Sequence, residues 1–489
     1  MKKNFLLNLL NPPAPKELLP EDKIDSVYKK MRLKVFLGAF IGYAGYYLVR
    51  KNLAIAIPGM IQPVENGGLG YNKLELGIAL SAISIAYAFS KFLMGALSDR
   101  SDARKFLVIG LILSASLMMS VGIFPFATSS VAVIFMFMLI IGWLGGMGWP
   151  PCGRVMVHWF SHNERSFKMS IWNTSHTFGS GLMGNLTALG AFLIGGFFIV
   201  DIGNGVLVEQ TWRSVFVFPS AVALLIAGFC WWALRDTPQS CGLPPIDQYR
   251  NDFPVKKELS SDKKIPAKEL FIKYIFKNKT LWLIALANIF VYLVRYGIGD
   301  WSPTYCQESG LLTSAQSKMA FALHNYAGVP GTILCGLISA KLFKGRCAPA
   351  NFIYMLLVLV SIFLYWKAAP VASFIAQTFS IDPVAATVAV VYTSLIAIGF
   401  FIYGPVALIG VQAINLVPKN AAGTAAGFVG LFGYLIGDAL LSKVLIGAVA
   451  DNVDLGWNAT FWIFIVASIL AAFFSATTWK REKAACALN

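Results

Sequence analysis

From about residue 34 to residue 479 the chain alternates long apolar runs with shorter polar ones. Twelve apolar segments can be drawn, at 34–60, 74–98, 105–126, 130–158, 166–199, 213–234, 280–306, 317–342, 350–369, 384–416, 421–450 and 457–479. A helix of about twenty residues crosses a ~30 Å hydrocarbon core. Within lipid the backbone must satisfy its own hydrogen bonds, so each run is expected to be a helix. The pattern predicts an all-α membrane protein with twelve transmembrane helices. The polar connections alternate in charge. Those after the even-numbered segments carry Arg100, Arg104 and Lys105; Arg165 and Lys168; the stretch 235–279; Lys341, Lys344 and Arg346; and Lys419. The intervening ones, such as "IQPVENGGLGYN" and "DNVDLGW", have no Lys or Arg. Lys367, at the end of the ninth segment, is the one departure. By the positive-inside rule both termini are expected on the cytoplasmic side.

Composition agrees with this reading. The chain is 57% hydrophobic and 13% charged, and its mean hydropathy is +0.66. Soluble domains carry about a quarter charged residues. The net charge of +16 does not point to a nucleic-acid partner, because the basic residues lie between apolar segments, where they orient the chain; the expected partner is the bilayer. "NFLLNLL" is short for a signal-peptide core and stops at Pro12 and Pro13, so no cleaved leader is expected. The seven cysteines show no metal-ligand spacing and read as reduced thiols. No metal or cofactor is expected.

The apolar rhythm breaks once, at 235–279, a stretch rich in Pro, Lys and Asp. This predicts a cytoplasmic N-terminal segment 1–33, a six-helix half 34–234, a cytoplasmic linker 235–279, a second six-helix half 280–479 and a tail 480–489. The halves echo one another. "YYLVRKN" (46–52) and "VYLVRYG" (291–297) place Tyr-Leu-Val-Arg in the opening helix of each half. Internal duplication with a site near the bilayer midplane is how secondary transporters are built.

The intramembrane charges are the candidate site. Burying a charge in a membrane helix is costly, so such residues usually face a cavity or a partner. Arg50 and Arg295 each offer a permanently charged planar fork that fits a phosphate group, and two facing forks would clamp a dianion. Lys51, about 100° around a regular helix from Arg50, is expected to pair with Asp300 across the half-interface. Lys91 either lines the cavity or snorkels toward headgroups. His176 is a candidate donor to a phosphate oxygen. Tyr43, Tyr47, Tyr87, Tyr292, Tyr403 and Tyr434 lie inside helices, away from the interfacial belts, and suggest a polar-lined cavity. The glycine runs "GWLGGMGWPPCG" and "GFVGLFGYLIG" lack the strand–turn–helix context of nucleotide loops and read as close helix packing. Asp438 and Lys443 are further charges in the eleventh segment. On a regular helix Lys443 points about 140° from Asp438, which predicts no pair between them. The connections near 200–212 and 370–382 read as longer loops.

"SDRS", "GWPPCGR", "RDTPQSCGLPPI", "VRYGIGDWSPTY", "YAGVPGT", "IYGPVALIG" and "PKNAAGTAAGF", with "YYLVRKN", together resemble the organophosphate:phosphate antiporters of the major facilitator superfamily. The resemblance runs from about residue 14 to the last helix. It implies the two-half fold and exchange of an organophosphate, glycerol 3-phosphate above all, for inorganic phosphate. It also implies a non-enzymatic monomer in a bacterial inner membrane. It assigns phosphate binding to Arg50 and Arg295, cavity roles to His176, Lys91, Tyr43, Tyr47, Tyr87, Tyr292, Tyr403 and Tyr434, and a salt bridge to Lys51 and Asp300. Asp99, Arg100 and Arg104 match the loop signature of the superfamily and read as a conformational latch. Two departures stand out, one at the gate and one bearing on substrate. Asn325 stands where the pattern has an acid, which would cost Lys51 one of two carboxylate partners, and Asp438 would offer a sugar hydroxyl an acceptor if it faced the cavity. Hexose-phosphate antiport, or sensing of a sugar phosphate on the same fold, are the alternative functions.

Overall fold

The structure, a computed structural model, describes residues 10–98, 100–203, 205–251, 272, 275–417 and 422–486. Asp99, Lys419, most of 252–274 and the outermost terminal residues lie outside the described residues. Among the described residues, eleven stretches are long and apolar enough to cross a membrane, judged by length and composition. The first predicted segment is the exception, because it is divided. α1 (Glu21–Tyr47) ends before Arg50, and α2 (Asn52–Met60) begins after Lys51. The remainder of this half is α3 (Lys73–Ser98), α4 (Ala103–Ile123), α5 (Val131–Gly145) and α6 (Trp149–Trp159), α7 (His162–Asn173) and α8 (Ser175–Ile194), and α9 (Ser214–Ala233). The short α10 (Ile246–Arg250) follows.

The second half is α11 (Lys279–Glu308), α12 (Ser314–Lys341), α13 (Cys347–Trp366), α14 (Ala368–Phe379) and α15 (Pro383–Asn415). It continues with α16 (Ala422–Phe432), a π-helical stretch Gly433–Leu445, α17 (Ile446–Asp451) and α18 (Gly456–Cys486). Two connections expected as loops carry structure. β1 (Ile199–Asp201) pairs antiparallel with β2 (Leu207–Glu209), Ile199 opposite Glu209, and α14 occupies most of 370–382.

The described segments nearest the two ends of the chain lie at one end of the bundle. There, Lys16 and Leu19 donate backbone hydrogen bonds to Gln239 and Gly242. Glu482 accepts from the backbone of Cys347 and Ala348 at 2.8 Å. The halves join toward the other, far end. Lys73 reaches Glu308 at 3.0 Å, and its backbone N–H reaches Asp451 at 3.1 Å. Asn185 donates to the Tyr326 hydroxyl at 3.1 Å. Glycine permits the close approach. A Cβ on Gly77 would lie 2.4 Å from the Lys443 carbonyl oxygen, and one on Gly184 would lie 2.5 Å from that of Lys318. Any larger residue would push the halves apart at this end.

Candidate functional site

Arg50 and Arg295 are both buried, at 9% and 7% exposure, and neither has a carboxylate partner among the described residues. Aromatic rings surround their heads instead. The Arg50 guanidinium carbon lies 3.9 Å from the centre of the Tyr87 ring and 5.4 Å from that of Tyr47. Arg295 lies 4.7 Å from Tyr296, 4.7 Å from Tyr403 and 5.9 Å from Tyr292. The spacing Tyr-Leu-Val-Arg explains one ring in each set, since residues three apart share a helix face. Of the others, Tyr296 is the next residue of α11, and Tyr87 and Tyr403 come from α3 and α15. A ring face attracts a cation but accepts no conventional hydrogen bond, so cation–π contact leaves the guanidinium N–H groups available to an anion.

The tyrosines join the two sets. Tyr87 meets Tyr434 edge-to-face at 5.2 Å, Tyr434 meets Tyr292 at 5.1 Å, and Tyr43 meets Tyr47 at 5.6 Å. His176 sits between the halves, 5.6 Å from the Tyr47 ring and 6.4 Å from that of Tyr403. One of its ring nitrogens is engaged by the Asn173 carbonyl, and the other lies 3.2 Å from the Thr177 hydroxyl. The Tyr403 hydroxyl donates to Asn325 at 2.7 Å. Where an acid was expected, this neutral amide orients a tyrosine of the arginine cage. Lys91 has an exposed side chain 5.7 Å from the Trp149 ring. It lines an opening of about 630 Å³ with Trp149, Arg154, His158 and Met169. None of the residues lining this opening belongs to the tyrosine cages of Arg50 and Arg295.

Toward the far end from the arginines, Lys51 bonds Asp300 at 2.5 Å, and Asp300 is wholly buried. The pair spans the halves. The structure corrects the prediction for Asp438 and Lys443, which bond at 2.9 Å. A π-helix hydrogen-bonds i to i+5, so residues five apart come into register, which a regular helix does not allow. Asp438 also accepts from Ser84 of α3 at 2.6 Å. It is buried in the contact between halves and is not a free acceptor in a substrate pocket.

Of the proposed latch, Arg104 packs over the Trp231 ring at 4.4 Å, Arg100 is exposed, and Asp99 lies outside the described residues. The sequence reading passed over a pair beside it. Asp236 takes Arg154 in two bonds of 3.0 Å and the Ala103 backbone N–H at 3.0 Å, while Asp102 caps α4. Both Arg154 and Asp236 stood in motifs already singled out, "GWPPCGR" and "RDTPQSCGLPPI". Tyr296 was also passed over, although it directly follows Arg295.

A family model described as Major Facilitator Superfamily matches residues 36–442, and the chain belongs to that superfamily: it is a multi-pass membrane protein of a transporter fold. Over 480 residues it is 46% identical to a protein of Bacillus subtilis named glycerol-3-phosphate transporter, with 98% of this chain and 99% of that one covered. It is 32% identical over 491 residues to a probable hexose phosphate transport protein of Chlamydia trachomatis, with 98% of each covered. A solved structure of a bacterial homolog of the human lysosomal transporter Spinster, inward-facing and unoccupied, matches with a TM-score of 0.62 at 17% identity. It covers 93% of this chain and 97% of that chain, a likeness of fold.

Proposed function

We propose that this protein is an antiporter that imports an organophosphate, glycerol 3-phosphate foremost, in exchange for inorganic phosphate, by alternating access. One observation carries the reading. Two buried guanidinium groups, one in the break between α1 and α2 and one within α11, have tyrosine rings around them and no carboxylate partner among the described residues. Buried cations without acids call for an anion, and phosphate matches the fork. The names of the relatives, glycerol-3-phosphate transporter and hexose phosphate transport protein, support the substrate class.

The halves correspond to 34–234 and 280–479, with 235–279 as linker. The end bearing the termini faces the cytoplasm of a bacterial inner membrane, in accord with the basic loops there. On this assignment the far-end contacts close the outside, and the opening beside Lys91 leads inward. A dianion between Arg50 and Arg295 neutralises two like charges and draws the halves together. An empty site keeps that repulsion, which disfavours the switching state and limits leak. The substrate is carried unchanged, and one chain suffices for the cycle. Proteoliposomes loaded with phosphate and given labelled glycerol 3-phosphate test the reading. Saturable uptake that stops when internal phosphate is omitted supports it. Binding without flux would make the protein a sensor, and release of glycerol would make it an enzyme.

A further inference from the structure

The contact between the halves holds a set of charges whose partners do not divide evenly. Lys51 and Ser84 belong to the first half; Asp300, Asp438 and Lys443 belong to the second. Asp300 receives Lys51 on Oδ1 at 2.5 Å. Its Oδ2 has no hydrogen-bond partner among the described residues, and Lys443 Nζ stands 4.0 Å from it. Lys443 has three donors. One is on Asp438 at 2.9 Å, and another is on the Ser84 hydroxyl.

When the halves separate at the far end, Lys51 leaves with the first half and takes away the only hydrogen-bond donor that Asp300 has among the described residues. A buried carboxylate stripped of its partner is strongly unfavourable. The same movement carries Ser84 away and frees a donor on Lys443. We propose that Lys443 is the substitute partner of Asp300: it takes over the carboxylate as Lys51 withdraws, while keeping Asp438. A lysine suits this, as a point charge on a flexible stem that needs no fixed fork. The π-helical stretch gives the arrangement its register, because it seats Lys443 over Asp438 at a spacing of five. Lys443 is thus a positioning residue for the outward-open state. The inference rests on the alternating-access reading.

The test uses the full-length protein in detergent, with a cysteine introduced as Asn185→Cys at the far-end contact and labelled by a maleimide; the unaltered protein sets the background. In that variant, Lys443→Met is expected to lower the labelling rate at least threefold, because the open state now strands Asp300. Lys443→Met with Asp438→Asn leaves no orphaned carboxylate in the closed state, which protects folding. It is expected to show the same fall, with phosphate affinity within twofold of the parent. A labelling rate that rises or stays unchanged in the double variant overturns the proposal, since Lys443 would then be a latch through Ser84 or a mere counter-charge to Asp438. Labelling needs no substrate. Absence of exchange by the unaltered protein would instead strike the antiporter reading and leave this result standing.

Discussion

The two Tyr-Leu-Val-Arg stretches share a sequence and sit in unequal surroundings. Each arginine keeps the tyrosine three residues before it, Tyr47 for Arg50 and Tyr292 for Arg295. Beyond that they diverge. Arg50 lies in a break between α1 and α2, whereas Arg295 lies inside the unbroken α11. The residue after each arginine differs too, Lys51 in one and Tyr296 in the other. These two meet, the Lys51 ammonium lying 4.5 Å from the Tyr296 ring centre. Five residues after Arg295 stands Asp300; five after Arg50 stands Ile55. The repeated stretch thus supplies a matched pair of buried cations, the pair proposed above to hold the anion. Divergence one and five residues further on supplies an unlike pair, Lys51 and Asp300, that holds the halves together.

The comparison breaks first at the arginines. If the copies are equal partners in a clamp, Arg50→Lys and Arg295→Lys will each lower phosphate exchange by about thirtyfold or more. That corresponds to about 2 kcal/mol for a lost bidentate, charge-assisted contact with the charge retained. Proteoliposome flux at matched expression decides it. Either variant retaining half of the exchange would remove that arginine from the clamp.

The unlike pair should behave differently, in stability as well as in flux. Asp300→Asn alone leaves Lys51 without its acid, and Lys51→Met alone leaves Asp300 only Lys443, 4.0 Å from its Oδ2. Removing one member of a buried pair typically costs about 3–5 kcal/mol, whereas replacing both is often near neutral. Asp300→Asn is expected to melt well below the parent, Lys51→Met less far below because Lys443 can move onto Asp300, and Lys51→Met with Asp300→Asn to recover most of the larger loss. A double variant no more stable than the singles would show that the two side chains do not act as a pair.

A smaller effect is expected at the substrate. The Arg50 and Arg295 cages are lined by tyrosines, and Asp438 is committed to Ser84 and Lys443. A hexose phosphate would therefore bury hydroxyls with few partners, at roughly 1–3 kcal/mol for each left unpaired. Unlabelled glycerol 3-phosphate is expected to compete with phosphate uptake at least about tenfold better than glucose 6-phosphate, a difference of about 1.4 kcal/mol. The reverse order would move the assignment to a hexose-phosphate antiporter. The mildest change is His176→Ala, which removes a ring between Tyr47 and Tyr403. It should weaken phosphate binding by about fivefold, near 1 kcal/mol, and leave the melting temperature within a few degrees. Unchanged affinity would make His176 a packing residue.

Much of this was legible in the chain itself. An arginine in an apolar run is visible from its neighbours alone, because hydrocarbon excludes unpartnered charge. For the same reason the spans, the repeated helix and the pairing of Lys51 with Asp300 could be read from order and composition. What only the tertiary structure decided were matters of register and of packing between distant segments. The break at 48–51 left no Pro or Gly mark at that place in the sequence. Tyr296 became part of the Arg295 cage, and Asn325 the partner of Tyr403, through contacts that sequence spacing does not encode. Asp438 and Lys443 were the clearest case. A regular helix sends residues five apart to different faces, and a π-helical stretch brings them together. Which period the backbone adopts there depends on how Gly433–Leu445 packs against α3 and α11, not on the thirteen residues alone.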